Sequence, residues 1–556
     1  MAPVLVLAAA GHLASAVSGV SPGWTASLAA PPVDKITAPG VDLVAIMPVL
    51  VVLGAACVGV LLEGILPRAS RFYAQVVLAV LAVVFAGVWT IVEGTRSRYV
   101  VTVGGAITVD SATYVMWGSL LILALLSIPL MADRVTEPGG AFVADAAVTP
   151  GSTRDRRATA VATPMHTEVF PLALFAVGGM LVFPAASDFL TLFVALEVLS
   201  LPLYILCGLA RRRRLISQEA AVKYFLIGAF TSAILLYGIA LLYGYAGSVR
   251  FSAVSAAAQA GGGSEGLLLG GIALLVVGLL FKGSVGPFHL WTPDVYQGAP
   301  TPVTAFMASA TKFAAFAAML RVLQAALAPM AWSWRPVLYV VAVISMLIGA
   351  VLGITQTDIK RMLAYSSIAH AGFLLLGVMA LSEQGASATL FYLLTYGIAT
   401  IGGFILLTTV RRSGLEATHL SDWAGMGKRS PLLAAVMSVF LLSFAGIPLT
   451  SGFIGKFVVF TAAMHSGMGA LVVIAMLATV ITAFFYLRLI VMMWFSDPAG
   501  GVSTPGTSVV AGGPEIVVPG MVTTVVVAVC LILTVLLGVV PAPALDLMKV
   551  TFPLLS

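Results

Sequence analysis

Long apolar runs separated by short polar segments make up most of this chain. A helix needs roughly 20 apolar residues to cross a membrane, and by that measure the sequence contains about 14 such runs. They lie near residues 42–65, 72–93, 109–132, 168–185, 188–209, 218–245, 266–286, 300–325, 336–356, 362–382, 386–410, 431–466, 469–495 and 517–540. The pattern predicts an all-α polytopic membrane protein.

Two of these runs contain residues that interrupt helices. The run 431–466 is too long for one crossing and has Pro448 between two glycines near its middle. The stretch 266–298 is similar, because Pro287 and two nearby glycines are followed by a segment with little charge. Helices break at membrane depth only where protein or water satisfies the freed backbone groups, which often marks a transport site. We therefore predict a broken helix in each run.

The composition agrees with a membrane protein. Hydrophobic residues make up 60% of the 556 residues and charged residues only 9%, with a mean hydropathy of +1.09. Soluble domains do not reach these values. Cys57, Cys207 and Cys530 stand singly in apolar runs, without the paired spacing of zinc or iron–sulfur sites. Since the sequence has no nicotinamide or flavin motif either, we expect no metal or other cofactor in this chain.

The net charge of +6 comes from basic residues at the ends of apolar runs, where they set topology rather than bind nucleic acid. Inside loops are enriched in lysine and arginine. If the N-terminus is outside, the inside loops receive Arg68, Arg71, Arg134, Arg154, Arg156, Arg157, Arg211 to Arg214, Lys360, Arg361, Arg411, Arg412, Lys428 and Arg429. The outside loops receive only Lys35, Arg96, Arg98, Arg250, Arg335 and Lys549. An even number of spans then puts both termini outside.

The first forty residues form an extension outside this pattern. Residues 4–17 are apolar and precede small residues, as in a signal peptide, but no positively charged segment comes before them. Cleavage and retention of the extension both stay open at this point. The loop 133–167 and the glycine-rich segments 259–266 and 498–514 are expected to be surface connections.

Ionisable residues inside the apolar runs are the candidates for function. Glu197 and Lys312 lie near the middle of their runs. A charge at that depth costs roughly 2.5–3.5 kcal/mol and persists mainly where it pairs, lines water or moves protons. A buried structural hydrogen bond is the alternative role for each, and we favour an ion path.

Five other titratable residues are candidates with weaker positional signals. Lys223 follows the arginine run closely enough for its ammonium to reach the headgroups. Lys282 also reaches the headgroups if its helix ends there, but it is buried if a broken helix continues. Lys456 follows the second predicted break, which favours burial. His289 and His370 are either proton relays or hydrogen-bonded core histidines.

Lysine suits a proton path. Desolvation lowers the pKa of a lysine side chain, while a nearby carboxylate raises it. A lysine whose carboxylate partner moves can therefore take up or release a proton near neutral pH. We expect Glu197 to act on Lys223 or Lys282. Lys312 and then Lys456 would continue the path, with water bridging the intervals.

Three long segments carry a family resemblance. They are KGSVGPFHLWTPDVYQGAPTPVTAF at 282–306, DIKRMLAYSSIAH at 358–370 and FAGIPLTSGFIGK at 444–456. They resemble the antiporter-like membrane subunits of respiratory complex I, and the resemblance covers most of the chain from 40 to 540. The third segment ends in lysine, where a sister subunit of that complex carries glutamate.

The resemblance implies two inverted repeats of five helices, near 168–325 and 336–495, each containing one broken helix. It also implies an N-terminal extension, three first helices with an inside loop, two antiporter-like repeats, and a loop with the last helix. The corresponding ranges are 1–40, 41–167, 168–330, 331–497 and 498–556. Residue by residue, it assigns proton translocation to Glu197, Lys223, Lys282, Lys312 and Lys456. The extension and the enlarged loop 133–167 depart from the family pattern.

The resemblance also implies a function. Such a chain would be a proton-translocating membrane subunit of NADH:quinone oxidoreductase in the bacterial plasma membrane, with the redox chemistry elsewhere in the complex. The implied partners are the other membrane subunits, including the antiporter-like ones, together with protons, internal water and the lipid bilayer. A subunit of a multi-subunit cation/proton antiporter is the alternative, because that family has similar lysines and a similar carboxylate. A purely structural membrane subunit is a third possibility.

Overall fold

Long apolar helices occupy the positions of the predicted apolar runs. This computed structural model describes residues 40–96, 98–137, 139–143, 149, 152–153, 157, 166–497 and 514–550. Apart from Gly40, the predicted extension falls outside the described residues, and so do most of the loop 133–167 and nearly all of 498–514. The described residues from Val41 onward belong to one unit.

The α-helices in the described part of the chain follow one another with short connections. In order they are α1 (Met47–Ile65), α2 (Arg68–Thr95), α3 (Ser111–Ser127), α4 (Val169–Val182), α5 (Phe189–Cys207), α6 (Arg214–Ala246), α7 (Phe251–Ala260), α8 (Glu265–Lys282), α9 (Trp291–Gly298), α10 (Thr301–Phe306), α11 (Lys312–Arg321), α12 (Ala331–Thr355), α13 (Ile359–Met379), α14 (Glu383–Leu407), α15 (Met426–Arg429), α16 (Pro431–Ala445), α17 (Ser451–His465), α18 (Gly469–Phe495), α19 (Met521–Val539) and α20 (Ala542–Leu547). Short 3₁₀ turns lie at Val103–Gly105, Ile128–Ala132, Phe183–Ala185, Ala328–Met330 and Leu420–Trp423.

Within the described ranges, 12 helical segments are long and apolar enough to cross a membrane. The shorter segment Val169–Ala185 and the pair formed by α16 and α17 provide two further crossings. The fold is therefore the predicted all-α polytopic one, with about 14 spans of the length that a bilayer requires.

Both predicted helix breaks are confirmed. α8 ends at Lys282 and α9 begins at Trp291, while α16 ends at Ala445 and α17 begins at Ser451. The second break depends on Gly446, which ends α16 with φ of 81°. Glycine adopts this left-handed conformation without the steric cost that other residues incur.

The segment predicted as one uninterrupted span at 300–325 contains two π-helical turns. They occupy Met307–Thr311 and Val322–Ala326, on either side of α11. The whole central window of this segment is buried in the protein. π-Helical turns are rare and often mark functional sites. The hydropathy pattern gave no indication of them, because they change hydrogen bonding but not polarity.

Small antiparallel sheets connect some of the helix ends. The strands are β1 (Val100–Thr102), β2 (Ile107–Val109), β3 (Val410–Arg412), β4 (Leu415–Glu416) and β5 (Glu515–Ile516). β1 pairs with β2, and Val100 lies opposite Val109. In the second sheet β3 pairs with both β4 and β5, and Val410 lies opposite Ile516. This sheet joins the loop after α14 to the segment before α19.

A buried ion pair fixes the far end of α11. The guanidinium of Arg321 donates to both carboxylate oxygens of Asp110, over 2.5 and 2.9 Å. It also donates to the Thr113 hydroxyl and to the carbonyl of Pro184. Asp110 in turn caps the N-terminus of α3, so this cluster joins α3, α11 and the turn after α4. The sequence analysis did not identify either partner of this pair.

We expect Arg321→Met to destabilise the protein strongly. The substitution leaves the Asp110 carboxylate, which is 3% exposed, without its counter-ion. Removal of one partner from a buried pair typically costs about 3–5 kcal/mol. Thermal unfolding of the purified protein in detergent measures the effect.

Arg488→Met is the matched control, because Arg488 is an exposed arginine on α18. Its loss should change the unfolding temperature only slightly. Equal unfolding temperatures for the two variants would contradict a stabilising role for the Arg321 pair.

Candidate functional site

Three lysines are buried in the helical bundle at points where α-helices are interrupted. Lys282 is the last residue of α8, Lys312 directly follows a π-helical turn, and Lys456 lies early in α17. Their exposed fractions are 3%, 2% and 4%. An uninterrupted helix uses its carbonyl groups internally, whereas an interrupted one leaves some free to accept other bonds. Lys282 is thus buried, and its ammonium does not extend to the headgroups.

Lys282 is held by two hydroxyl groups. Its ammonium donates to Ser200 over 2.7 Å and to Tyr224 over 3.1 Å. The ring of Tyr224 stacks on Trp291 of α9, with centroids 4.5 Å apart. The indole of Trp291 donates to the carbonyl of Phe281, beside the lysine. The second half of the broken helix therefore positions a ligand of the ammonium at the end of the first half.

Glu197 lies on α5 and is half-buried. Its Oε1 atom is buried and accepts no hydrogen bond from any residue that the structure describes. Among the lysines considered as its partner, Lys282 is the one on which its charge acts electrostatically. The carboxylate thus faces the interior without a direct ion-pair partner among the described residues.

Lys223 is bound to carboxylates other than Glu197. Its ammonium lies 2.7 Å from Glu219 and 2.8 Å from Asp294, and its side chain is 43% exposed. Asp294 also accepts from Arg361 of α13 over 2.7 Å. The sequence analysis missed Asp294 as a charged partner, although it is part of the 282–306 motif, because the hydropathy of that segment gave no reason to single it out.

Lys312 is bound to α13. Its ammonium donates to the carbonyl of Ser367 over 2.6 Å and to the hydroxyl of the same residue over 2.5 Å. The ring centroid of Tyr396 lies 5.8 Å away. The ligands of this lysine are therefore neutral oxygens and an aromatic face.

His370 stands between the hydroxyl groups of two tyrosines. Its Nδ1 lies 2.6 Å from the hydroxyl of Tyr392, and its Nε2 lies 3.4 Å from that of Tyr486. The hydroxyls of Tyr486 and Ser366 are hydrogen-bonded to each other. Since Ser366 precedes the serine that binds Lys312, polar groups lead from this lysine to the histidine.

Lys456 donates to the last carbonyl groups of α16. The acceptors are those of Phe444, over 2.9 Å, and Ala445, over 3.1 Å. The neighbouring Gly455 lies against Tyr392, whose Cδ2 would be 2.4 Å from an added Cβ. Absence of a side chain at this position lets the tyrosine that binds His370 approach the helix that carries Lys456.

His289 lies between the two halves of the first broken helix and is 6% exposed. Its Nδ1 has no hydrogen-bond partner in the described part of the chain. The nearest aromatic ring is that of Tyr365, at 6.4 Å between centroids. The structure therefore does not join His289 directly to the lysines.

Known proteins match this chain in sequence over the region that contains the site. Residues 186–482, which include all seven candidate residues, match the family described as NADH:quinone oxidoreductase/Mrp antiporter, TM. The NADH-quinone oxidoreductase subunit N of Saccharopolyspora erythraea is 58% identical over 516 residues, which are 92% of this chain and 98% of that protein. The chain belongs to the NADH-quinone oxidoreductase subunit N family. This agrees with the lysine that ends the 444–456 segment, where a sister subunit carries glutamate.

Solved structures support the same family. A chain of respiratory complex I from Thermus thermophilus is 30% identical, with a TM-score of 0.71 over 90% of this chain and 99% of that one. A chain of the Mrp complex from Dietzia sp. has a TM-score of 0.73 over 91% and 96% of the two chains. At 21% identity, the second likeness establishes only that the antiporter and the subunit N family share a fold.

We expect Gly455→Ala to destabilise the protein, because the new methyl group would lie within 3 Å of the Tyr392 ring. Overpacking of this kind typically costs about 1–3 kcal/mol. The control is Gly270→Ala in α8, where the nearest atom outside its own helix lies at an ordinary 3.5 Å. Thermal unfolding in detergent should separate the two variants. A Gly455→Ala protein as stable as the Gly270→Ala protein would argue against tight packing at Tyr392.

Proposed function

We propose that this chain moves protons across the membrane as a subunit of NADH:quinone oxidoreductase, driven by redox chemistry elsewhere in the complex. The observation that carries the proposal is a set of three buried lysines, with hydroxyl and imidazole groups that lead from Lys312 toward Lys456. The names of its relatives and the identity to them support the choice of complex.

The environment of the lysines suits proton transfer. Burial disfavours an ammonium, and carbonyl or hydroxyl acceptors favour it. Because these effects oppose each other, small movements of the acceptor groups change the balance between the protonated and unprotonated lysine. A lysine with neutral ligands can thus gain or lose its proton without breaking a tight ion pair.

Glu197 supplies the variable charge in this scheme. Its carboxylate has no direct counter-ion among the described residues, so movement of water or of a lysine toward it changes the electrostatic field at Lys282. Lys223 is the mobile candidate, because its side chain is partly exposed and its pair with Asp294 is accessible to solvent. Exposed pairs of this kind are weak and therefore open readily.

The best defined part of the path leads from Lys312 toward Lys456. It runs from Ser367 to the adjacent Ser366, then through Tyr486, His370 and Tyr392. The distance of 3.4 Å between Tyr486 and His370 is the longest hydrogen-bond distance along this series, and water would assist transfer there. His289 has no such connection and would require water on both sides.

We also propose the division into two repeats, 168–330 and 331–497. Each half contains one broken helix, and each broken helix carries a buried lysine. Lys312 belongs to the first half, and its ligand Ser367 belongs to the second. Proton transfer at this lysine would therefore couple the halves.

The proposed orientation has both termini outside, in the bacterial plasma membrane. Its support is the clustering of basic loops: Arg213 donates to the carbonyl of Glu416, and Arg411 pairs with Glu137. These contacts gather the loops after α5 and α14 at one end of the bundle. An excess of basic residues at one end is typical of the inside face.

The alternative complex is a multi-subunit cation/proton antiporter. The Mrp likeness extends only to the fold, whereas the relatives at about 50% identity or more are all named as the same subunit of NADH-quinone oxidoreductase.

We propose that the chain holds no cofactor of its own, since its three cysteines stand singly in the sequence. The third reading, a purely structural subunit, makes opposite predictions for the lysines.

We expect Lys312→Arg and Lys456→Arg to abolish proton pumping while the complex still assembles. Arginine keeps the positive charge but does not release a proton at physiological pH. Because the redox and proton reactions are coupled, quinone reduction should slow as well. Proton uptake and NADH oxidation by membrane vesicles measure both effects.

Lys428→Arg is the control, because Lys428 is exposed and bonds only to the exposed Asp497 among the described residues. It should pump as the unchanged protein does. Normal rates and a normal proton-to-electron ratio in Lys312→Arg and Lys456→Arg would show that these lysines supply fixed charge alone.

The orientation is tested by cysteine labelling in intact cells. We expect Ser413→Cys, in the hairpin between β3 and β4, to resist an impermeant thiol reagent, and Ser264→Cys, before α8, to react. Both serines are exposed, so accessibility depends on the side of the membrane. The exposed native Cys57 is replaced by serine beforehand. The opposite labelling pattern would invert the topology.

A further inference from the structure

A polar cavity opens on the face that carries the basic loops. The space that water can occupy in it is about 40 Å³, and none of the candidate lysines lines it. Glu416, Lys360 and Thr301 contribute to its wall, as do residues 297 to 300. The cavity therefore adjoins the first turn of α10, the helical segment that leads to Lys312.

An ion pair lies at the inner wall of this cavity. The ammonium of Lys360, at the start of α13, lies 2.5 Å from Oε2 of Glu416 in β4. The hydroxyl of Thr301, the first residue of α10, lies 2.6 and 2.7 Å from the two oxygens of that carboxylate. Three separate chain segments thus meet at one carboxylate.

The pair is charged although it is largely withdrawn from water. Burial raises the pKa of the Glu416 carboxyl, but the adjacent Lys360 ammonium and the Thr301 hydroxyl outweigh this effect and hold its pKa below the ordinary value. The side chain of Lys360 is only 4% exposed. It also lies at a helix N-terminus, where the helix dipole disfavours a cation.

Stability alone does not account for such a pair. Desolvation of two charges often exceeds their mutual attraction, and apolar residues of similar size would close the same gap at least as well. When the two charged groups of an ion pair separate, water hydrates each of them favourably, whereas water does not hydrate separated apolar groups favourably. An ion pair is therefore suited to a contact that opens to water.

The surroundings hold one partner of the pair in place. Glu137 lies between Arg212, at 3.1 Å, and Arg411, at 3.0 Å. Arg213 donates to the backbone carbonyl of Glu416 over 3.2 Å. The contacts of Arg411 and Arg213 tie the hairpin of β3 and β4 to neighbouring loops, whereas the ammonium of Lys360 is carried on a flexible side chain.

Polar groups continue from the pair toward Lys312. Lys360 and Ser367 are seven residues apart on α13, so they lie on the same face, about 10 Å apart along the axis. Ser367 binds Lys312, and its hydroxyl also interacts with the hydroxyl of Tyr296 in α9. The hydroxyl of Thr304 donates to the carbonyl of Tyr296 over 3.2 Å.

We propose that the Lys360–Glu416 pair is a latch that closes a water-filled inlet leading from this face to Lys312. This inference rests on the proposed function. When Lys360 moves away, water enters along Thr301 and Ser367. The unprotonated amine of Lys312 then accepts a proton from the nearest water, and the inside solution replaces that proton through the water chain. No other bond is made or broken.

Thiol labelling tests the latch in the assembled complex. Ala299→Cys introduces a small probe at a cavity position that is 2% exposed. Inverted vesicles expose the proposed inside face to 2-aminoethyl methanethiosulfonate, with Cys57 replaced by serine. We expect slow labelling at rest and labelling several-fold faster during NADH oxidation. Ala326→Cys, a buried position at the other end of the same segment, is the control and should stay unlabelled.

Two variants distinguish the latch from a static contact. Glu416→Gln removes the charge that holds Lys360 and should make Ala299→Cys react quickly without turnover. The pair Lys360→Met with Glu416→Leu leaves no unpaired charge, and should assemble but remain closed, so that pumping and turnover-dependent labelling are both lost. If Glu416→Gln does not assemble, Thr301→Val weakens the same contact and should give the same faster labelling.

Labelling that is unaffected by turnover and by these variants would overturn the latch. Normal pumping by the Lys360→Met, Glu416→Leu complex would also overturn it. In either case loss of pumping in Lys312→Arg would still support the proposed function. The two proposals therefore fail separately.

Discussion

The burial of ammonium groups in a bundle of apolar helices is the constraint on which the rest of this structure depends. A charge that leaves water must find hydrogen-bond acceptors, and a regular α-helix uses its own carbonyl groups. Lys456 meets this requirement at the interruption between α16 and α17, whereas Lys282 and Lys312 bind serine and tyrosine oxygens. Lys456 binds the carbonyl groups at the end of α16, and Lys312 follows a π-helical turn and binds a serine on the neighbouring helix. The breaks are therefore part of the site.

Interrupted helices need support from their neighbours, and aromatic residues provide much of it. Trp291 stacks on Tyr224 and bonds to the backbone at the end of α8. Tyr392 packs against Gly455 and binds His370. In each case one aromatic side chain both fills the gap left by the broken helix and carries or positions a polar group. Packing and proton transfer thus rely on the same residues.

Two of the buried ion pairs in loop and helix-end regions have different geometries. Arg321 and Asp110 form a bidentate pair with additional bonds to Thr113 and Pro184, and so fix one end of α11. Lys360 reaches Glu416 through a flexible chain and a single contact. Arginine presents a rigid fork, whereas a lysine ammonium is a point charge on a long stem. The first pair suits a fixed anchor and the second a contact that opens.

Proline and glycine positions within the apolar runs were sufficient for both helix breaks. Hydropathy along the chain was sufficient for the fold class and the number of spans, because transfer of each residue from water to lipid is a local property. It also identified Lys312 and Lys456 as charges within apolar runs. The motifs were sufficient for the family, since they extend over many residues. The π-helical turns beside Lys312 could not be predicted, because they leave the polarity pattern unchanged.

The partners of each charge were decided only by the tertiary structure. Lys312 and Ser367 are 55 residues apart, and Arg321 and Asp110 are 211 apart. The sequence offered Glu197 as a partner for Lys223 or Lys282, but packing of α9 against α6 brings Asp294 to Lys223 instead. Hydrogen bonds require groups to meet within about 3 Å, and such proximity depends on how distant segments pack rather than on composition. The sequence therefore determined which charges are inside the membrane, and the packing of the helices determined what each of them contacts.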